Sequence, residues 1–382
     1  MKKVIYLIIL IGLITFSGCW DYREINEFSI ALGLGIDKGE EKGYYISAEL
    51  ADIQGEGSEA ELIPIVTTRH GETIFDGIQN MVTRSGQNLF WSHAMIVIVS
   101  HELAREGMTP IIDWILREGS VRSDIFVLVS LEDSAFDVMK IKSPIYNAIS
   151  SHLAYTLNSH TFSPKFIPKK LWELKQELSE PGIAATLPTV RVVQDGDTKT
   201  TEIWGTAVFK KDKMIGWLDG TESFFFSMIR PVPVSGVLAQ TITLEGTTGH
   251  ITYELAQKKS RYIATIRDGK PHIEVEIKLE VGLADFEDVS PDIKKPEIRE
   301  LLEHYLETYI HQEVLSLITK VQQEFKSDIF EFGATIHRKH PKIWRELESN
   351  WGEEFSKLDV LVTIDAVLTS SGLLSKSISL RD

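Results

Sequence analysis

Ala94-Met95-Ile96-Val97-Ile98-Val99-Ser100 and Ile125-Phe126-Val127-Leu128-Val129-Ser130 open and close a segment, residues 94–130, that reads AMIVIVSHELAREGMTPIIDWILREGSVRSDIFVLVS. Each end is an unbroken apolar run rich in β-branched residues, the pattern of a strand buried on both faces. Between them lie two helical pieces. Ser100 stands where a cap is needed and Gly107 where a helix ends; Thr109-Pro110 restarts the helix, with Thr as N-cap and Pro at the first helical position. A strand, a long helical crossover and a second buried strand make a βαβ unit, so the two strands should be parallel neighbours.

The same alternation continues outward. Leu62 to Thr68 reads as a strand, and Ile74, Phe75, Ile78, Met81 and Val82 recur at helical spacing. Before them lie two strand-like runs, Ser29–Ile36 and Tyr44–Leu50, split by a turn-rich stretch beginning at Asp37. The acidic stretch from Asp52 to Glu61 reads as a loop. Beyond residue 130, Ser134 opens a short helix. Residues 144–180 are helical twice, interrupted by Ser163-Pro164 and Pro168 and closed by Pro181-Gly182. Ala185–Val193 reads as extended, and Asp195-Gly196-Asp197 as a turn. The runs Glu202–Lys210 and Met214–Leu218 form a hairpin about Lys211-Asp212-Lys213. Pro231-Val232-Pro233 marks a linker.

After residue 234 the pattern changes. Leu238–Leu244, Ile251–Ala256, Arg261–Arg267 and His272–Val281 alternate in polarity and are joined by short turns, which predicts an antiparallel sheet. Pro296 opens a long helix whose apolar face runs from Ile298 through Leu302, Leu306 and Ile310 to Val321; its expected task is to cover that sheet. A second helix near Lys342–Phe355 and a strand over Leu358–Leu368 complete the chain. The expected fold is mixed α+β in three domains. Residues 19–185 form an N-terminal mixed sheet with helices, 186–233 a small β-rich middle domain, and 234–382 an antiparallel sheet covered by long helices.

Residues 1–18 read as a leader. Lys2-Lys3 precede an apolar stretch from Val4 to Phe16, and Ser17-Gly18 lead into Cys19, the single cysteine of 382 residues. This is a secretory signal with a lipobox. Cleavage before Cys19 would leave its sulfur carrying a diacylglyceryl group, a role that suits a nucleophilic thiol. The flanking lysines place the bulk of the chain outside the cytoplasm. The formal charge is −15, and losing Lys2 and Lys3 with the leader would make it −17. Such a surface repels nucleic acid and anionic headgroups, so attachment to a membrane must rest on the lipid. With 43% apolar and 25% charged residues the chain is globular, and its lone cysteine allows no internal disulfide.

Catalytic and cofactor patterns are weak. Gly33-Leu34-Gly35 follows a strand, but Lys38 stands where a dinucleotide fingerprint needs glycine; close packing of that strand, then a turn at Asp37, is the better reading. His337 and His340 share a helical face without a third ligand at a known spacing, so a solvated helix end is expected there, with no metal and no cofactor. His93 reads as a packed or capping histidine. No Gly-x-Ser-x-Gly elbow is present. Trp204, Phe209 and Trp217, with Phe224-Phe225-Phe226, form either core or a docking patch.

Several segments together resemble one family. Gly18-Cys19-Trp20-Asp21-Tyr22-Arg23-Glu24-Ile25-Asn26-Glu27 is similar to the mature start of the Ger(x)C spore-germination lipoproteins, and Gly33-Leu34-Gly35-Ile36-Asp37 to their first strand. Trp204-Gly205-Thr206-Ala207-Val208-Phe209-Lys210 with Gly216-Trp217-Leu218 resembles their middle hairpin. Phe332-Gly333, Ile336-His337-Arg338-Lys339-His340-Pro341-Lys342-Ile343-Trp344 and Trp351 resemble their C-terminal signature. Glu331 and the pair Arg117-Glu118 depart from the usual pattern. The resemblance implies a three-domain, non-enzymatic C subunit of a GerA-type nutrient germinant receptor. It would sit on the outer face of the spore inner membrane beside an A subunit and a permease-like B subunit, with Cys19 as its chemically defined residue. The alternative is an extracytoplasmic solute-binding lipoprotein, which usually has two similar α/β lobes about a hinge. A wall hydrolase would need a catalytic constellation that the sequence does not offer.

Overall fold

The computed structural model describes residues 28–40, 43–54 and 61–371. Two sheets organise them. The first has nine strands: β1 Phe28–Lys38, β2 Tyr44–Gln54, β3 Glu61–Gly71, β4 Asn88–Phe90, β5 Ile96–Ser100, β6 Phe126–Ser130, β7 Thr186–Asp195, β8 Thr198–Lys210 and β9 Lys213–Leu218. Their order is β3-β2-β1-β5-β6-β7-β8-β9, with β4 paired to β1. The centre, β1-β5-β6-β7, is parallel, and both flanks are antiparallel. The second sheet has the order β10-β11-β12-β13, formed by Gly236–Leu244, Thr247–Arg267, Lys270–Glu287 and Asp359–Ser371.

The quoted βαβ segment folds as its pattern dictates. β5 and β6 are parallel partners, with Ile96 opposite Phe126. Between them run α2 (His101–Glu106) and α3 (Thr109–Arg117), while α1 (Ile74–Ser85) precedes β4 and β5. Successive strand residues serve opposite cores. Val97, Val99, Val127 and Val129 pack with α1, α2 and α3. Ile96, Ile98 and Leu128 pack with α4 (Ala135–Met139) and α5 (Ile149–Asn158). Helix α6, Leu171–Ser179, leads into β7.

Gly33 and Gly35 explain the glycine pair of the first strand. A Cβ on Gly33 would lie 2.1 Å from the Ser150 hydroxyl of α5, and one on Gly35 3.2 Å from the Met139 side chain of α4. Close approach of helix to strand, not a phosphate, requires them. The strand does not turn at Asp37 but runs on to Lys38. The buried Asp37 carboxylate instead accepts the Ala135 and Phe136 amides at the start of α4, at 2.5 and 3.2 Å. Glu49, on β2, does the same for α5 through Ile149 and Ser150, at 2.9 and 2.8 Å. Burial pushes both carboxyls above their ordinary range. Each satisfies orphan donors of a helix end that faces the core.

Residues 186–218, part of the segment expected as a small β-rich middle domain, are β-rich. Their strands β7, β8 and β9 hydrogen-bond into the first sheet and form no sheet of their own. Thr109 is not the N-cap of its helix; Met108 is, and the Thr109 hydroxyl donates to Asp212 at 2.6 Å.

The second sheet differs from expectation in two ways. The runs ending at Ala256 and starting at Arg261 are one 21-residue strand, β11. A bulge between Leu255 and Gln257 replaces the expected turn and leaves Lys258 buried. The final strand, β13, pairs with β12 in parallel, whereas the other pairs are antiparallel. The chain returns to β12 through α8 (Pro296–Lys320), so the crossover is long enough for a parallel partner. Leu302, Leu306, Ile310, Val314 and Leu317 of α8 lie against Ile251, Tyr253, Val275, Ile277 and Val362. The second helix breaks into α10 (Pro341–Leu347), a 3-10 turn and α11 (Trp351–Phe355), after α9 (Phe332–Lys339). Among the described residues no helix is long and apolar enough to cross a membrane.

Candidate functional site

The sequence motifs of the middle hairpin and of the C-terminal signature meet at the junction of the two sheets. Helix α7, Gly220–Ile229, follows β9 and carries Phe224, Phe225 and Phe226, all buried. The aromatic density therefore makes core: Phe226 sits 5.9 Å from Phe330, and Phe225 5.9 Å from Tyr309 of α8. Phe330 stacks on Phe332 at 5.2 Å, and Tyr262 of β11 meets Phe332 edge-on at 5.3 Å. Trp204 is half-buried. It lies over Gly220, where a Cβ would come within 2.5 Å of its ring, and the Arg191 guanidinium sits 5.0 Å from its centre. Trp217 stays exposed.

Asp328 fixes the loop that leads into Phe332-Gly333. Its Oδ1 accepts the Phe330 and Phe332 amides at 3.1 and 3.3 Å. Its Oδ2 accepts the Gly333 amide at 2.7 Å and the Trp351 indole N–H at 3.1 Å. Burial raises its pKa to about 6, against the pull of those donors. Gly333 packs on Gly182 of the first unit, where a Cβ on Gly182 would lie 2.4 Å from the Gly333 carbonyl carbon. Gly182 also has φ +79°, so glycine is required twice over. Backbone bonds cross here as well: Ala184 donates to the Asp328 carbonyl at 2.7 Å and Ala334 to Gly182 at 2.9 Å.

Beside this loop lies a buried ionic network. Glu177 of α6 accepts from Lys169 at 2.6 Å and from Arg230 at 3.4 Å, and its second oxygen accepts the Thr186 amide at 3.1 Å. Arg230, at the end of α7, also pairs with Glu331 and donates to the Ile329 carbonyl at 2.8 Å. Glu331 takes a left-handed φ of +69° and serves as a partner of Arg230. Lys258 donates to the Arg230 carbonyl and, at 3.0 Å, to that of Val232. Burial, then the nearby Arg230 charge, lower its pKa to about 7. Three side chains of β11 thus grip the segment that joins the units, because Ser260 donates to Arg230 at 2.8 Å and Tyr262 to Ile229 at 2.9 Å.

The other residues singled out by sequence are apart from one another. His337 stacks on Trp344 at 5.7 Å, whereas His340 Nε2 lies 3.1 Å from the Ala264 carbonyl. Among the described residues no group of three or more His, Cys, Asp or Glu could hold a metal. His93 sits 5.9 Å from Phe90. Arg117 pairs with Asp113 at 2.9 Å. Cys19 lies outside the described residues. Sequence reasoning missed Lys169, Glu177, Arg230, Lys258 and Asp328, because none sits in a motif and nothing in the sequence marks these charges as buried. The chemistry of this junction is cohesion: ion pairs and amide donors converge on buried charges and hold two units in one register.

Fold and junction together define a two-sheet mixed α/β protein. The chain belongs to the spore germination B3/GerAC-like family. Its residues 21–192 match the spore germination protein N-terminal domain, and residues 204–372 the GerAC-like C-terminal domain. Relatives from Bacillus subtilis (strain 168) include spore germination protein KC, 21% identical over 99% of this chain and 98% of that protein. Spore germination protein B3 is 23% identical over 95% and 96%, and spore germination protein A3 is 21% identical over 97% and 98%. The crystal structure of the GerBC protein is similar in fold, with a TM-score of 0.56 at 18% identity, covering 88% of this chain and 96% of that one.

Proposed function

We propose that this chain is the membrane-tethered C subunit of a nutrient germinant receptor, needed for spore germination and acting by assembly, not by catalysis. The observation that carries the reading is the match of both halves to the two domains of one spore-germination family, behind a leader that ends Ser17-Gly18-Cys19. In this reading Cys19 bears a diacylglyceryl group and an N-acyl chain. Two or more acyl chains give lasting attachment where one gives marginal binding. The anchor holds the protein on the outer face of the spore inner membrane beside the A and B subunits. Confinement of that kind raises apparent affinity by about 10² to 10⁴ without any new contact, so modest protein surfaces suffice. The rigid junction of the two units supports the same reading, since a scaffold must present its surfaces in fixed relation.

The test is Cys19→Ala in spores. The expected result is loss of the protein from the membrane fraction and a weakened response to nutrient. Normal retention together with a normal response would refute the tether.

A further inference from the structure

We infer that the end of the first sheet at which β1 begins rests against the bilayer interface, through an exposed aromatic belt around Tyr155 and Trp172. This inference rests on the tether proposed above. Eight residues, nine chain steps, separate Cys19 from Phe28, the first residue of β1. Such a stretch spans at most about 30 Å, and the opposite end of the 11-residue β1 lies about 33 Å further on. The tether therefore keeps the Phe28 end within about 30 Å of the lipid, while the opposite end is free to lie about twice as far away.

That end carries a distinctive surface. Phe28 meets Phe90 at 5.7 Å, and Phe90 meets His93 at 5.9 Å. His93, Arg122, Tyr155 and Lys170 line one open cleft of about 420 Å³, with Asp124 as its acidic member. Tyr155 stacks on Tyr146 at 5.0 Å, beside Ile145, which is 75% exposed. Asn147 ties this loop to the start of β3 by donating to the Leu62 carbonyl at 3.1 Å. The Trp172 amide donates to Ser123, next to Arg122, at 3.1 Å. Tyr155 and Trp172 are 52% and 48% exposed. Among the described residues the exposed aromatic side chains are Phe75, Tyr146, Tyr155, Trp172 and Trp217, and three of these five fall on this end.

Chemistry favours lipid as the occupant. Tyr and Trp settle at the headgroup level, where one side of the ring is apolar and the polar tip is wet. In the cleft Arg122 is paired with Asp124 through two bonds of 2.9 Å, which leaves Lys170 as its one cation without a carboxylate of the cleft. A headgroup phosphate suits Lys170, but Asp52 and Glu61 lie at the same end, so the aromatic rings and the short tether, not net charge, carry the contact.

The test uses the full-length lipoprotein in phosphatidylglycerol–phosphatidylethanolamine vesicles. Because an acylated Cys19 leaves no free thiol, Tyr155→Cys and Trp172→Cys each take one environment-sensitive dye, with Val237→Cys of β10 as control. The expected result is blue-shifted emission at 155 and 172, and quenching there by lipid-borne nitroxide well above that at 237. Vesicle-bound protein with equal, weak quenching at all three positions overturns the orientation and leaves the tether standing. A chain that takes dye at Cys19 itself and does not float with the vesicles overturns the tether, and this inference with it.

Discussion

The first and second sheets bury their strands by different rules. In the first, β5 is inaccessible on both faces: Ile96 and Ile98 are as buried as Val97 and Val99. In the second, β12 alternates, with Ile273, Val275, Ile277 and Leu279 inside and Glu274, Glu276 and Lys278 on the other face. A two-sided sheet has nowhere to put helix ends except against its own strands. That is why Asp37 and Glu49 point inward to cap α4 and α5. A one-sided sheet leaves its charges in water and concentrates its buried polar groups where it meets its neighbour. The difference teaches where substitutions should hurt: at the junction most, on either face of the first sheet next, and least on the open face of the second.

The largest effect is expected for Glu177→Ala. Removing this carboxylate strands Lys169 and weakens the hold on Arg230, both buried. Breaking a buried pair by removing one partner costs about 3–5 kcal/mol. Because the network ties α6 to the connection between the units, urea unfolding should also separate into two transitions, one per sheet. A single transition at an unchanged midpoint would break the comparison, since the junction would then contribute no cohesion.

Asp328→Asn probes the same junction through pH. In the folded protein Asp328 holds its proton up to about pH 6, while the unfolded chain releases it near pH 4. Between those values the native state binds more protons, so stability falls as pH rises through the window, by up to ~3 kcal/mol. The asparagine variant should lose stability at pH 4, because one side of the amide presents N–H to donors that now find no acceptor, at about 1–3 kcal/mol. Its stability should change less than that of the parent between pH 4 and 6. Denaturation midpoints at several pH values measure both effects, and equal slopes for the two proteins would show that Asp328 does not titrate there.

Legibility in the sequence follows the same division. The strands Ile96–Ser100 and Phe126–Ser130 were plain because continuous apolar runs bounded by caps have few alternative readings. The alternating strands of the second sheet were plain in polarity but not in extent. Lys258 looks like the middle of a polar turn, and only the bulge that turns it inward lets β11 run on to Arg267. The parallel pairing of β13 was hidden because alternation says which face is buried but not which neighbour is chosen. Among the site residues, Gly333 and the tryptophans showed in motifs. Glu177, Arg230 and Asp328 did not, since their meaning lies in their burial between the two sheets, which no local pattern marks.

Gly33→Ala should cost about 1–3 kcal/mol, the usual range for overpacking, since the new methyl would meet the Ser150 hydroxyl at 2.1 Å. Ser150→Gly should recover part of that loss in the double variant, because it removes the atom in the way. Thermal unfolding of the three variants measures the coupling, and strict additivity would mean that the strand and α5 can separate freely.

The smallest effect is reserved for the open face. Leu361 on β13 is 56% exposed and alternates with the buried Val362. Threonine brings the β-branching that a strand favours and forfeits little burial at this exposed position. Leu361→Thr should therefore stay within about 0.5 kcal/mol of the parent, as surface substitutions usually do, while Val362→Thr places a hydroxyl in the α8 interface and should cost clearly more. The contrast between these adjacent positions isolates the one-sidedness of the sheet, because the backbone, strand and neighbours are shared. Equal losses at both, read from urea midpoints, would mean that the outer face is covered in the isolated protein.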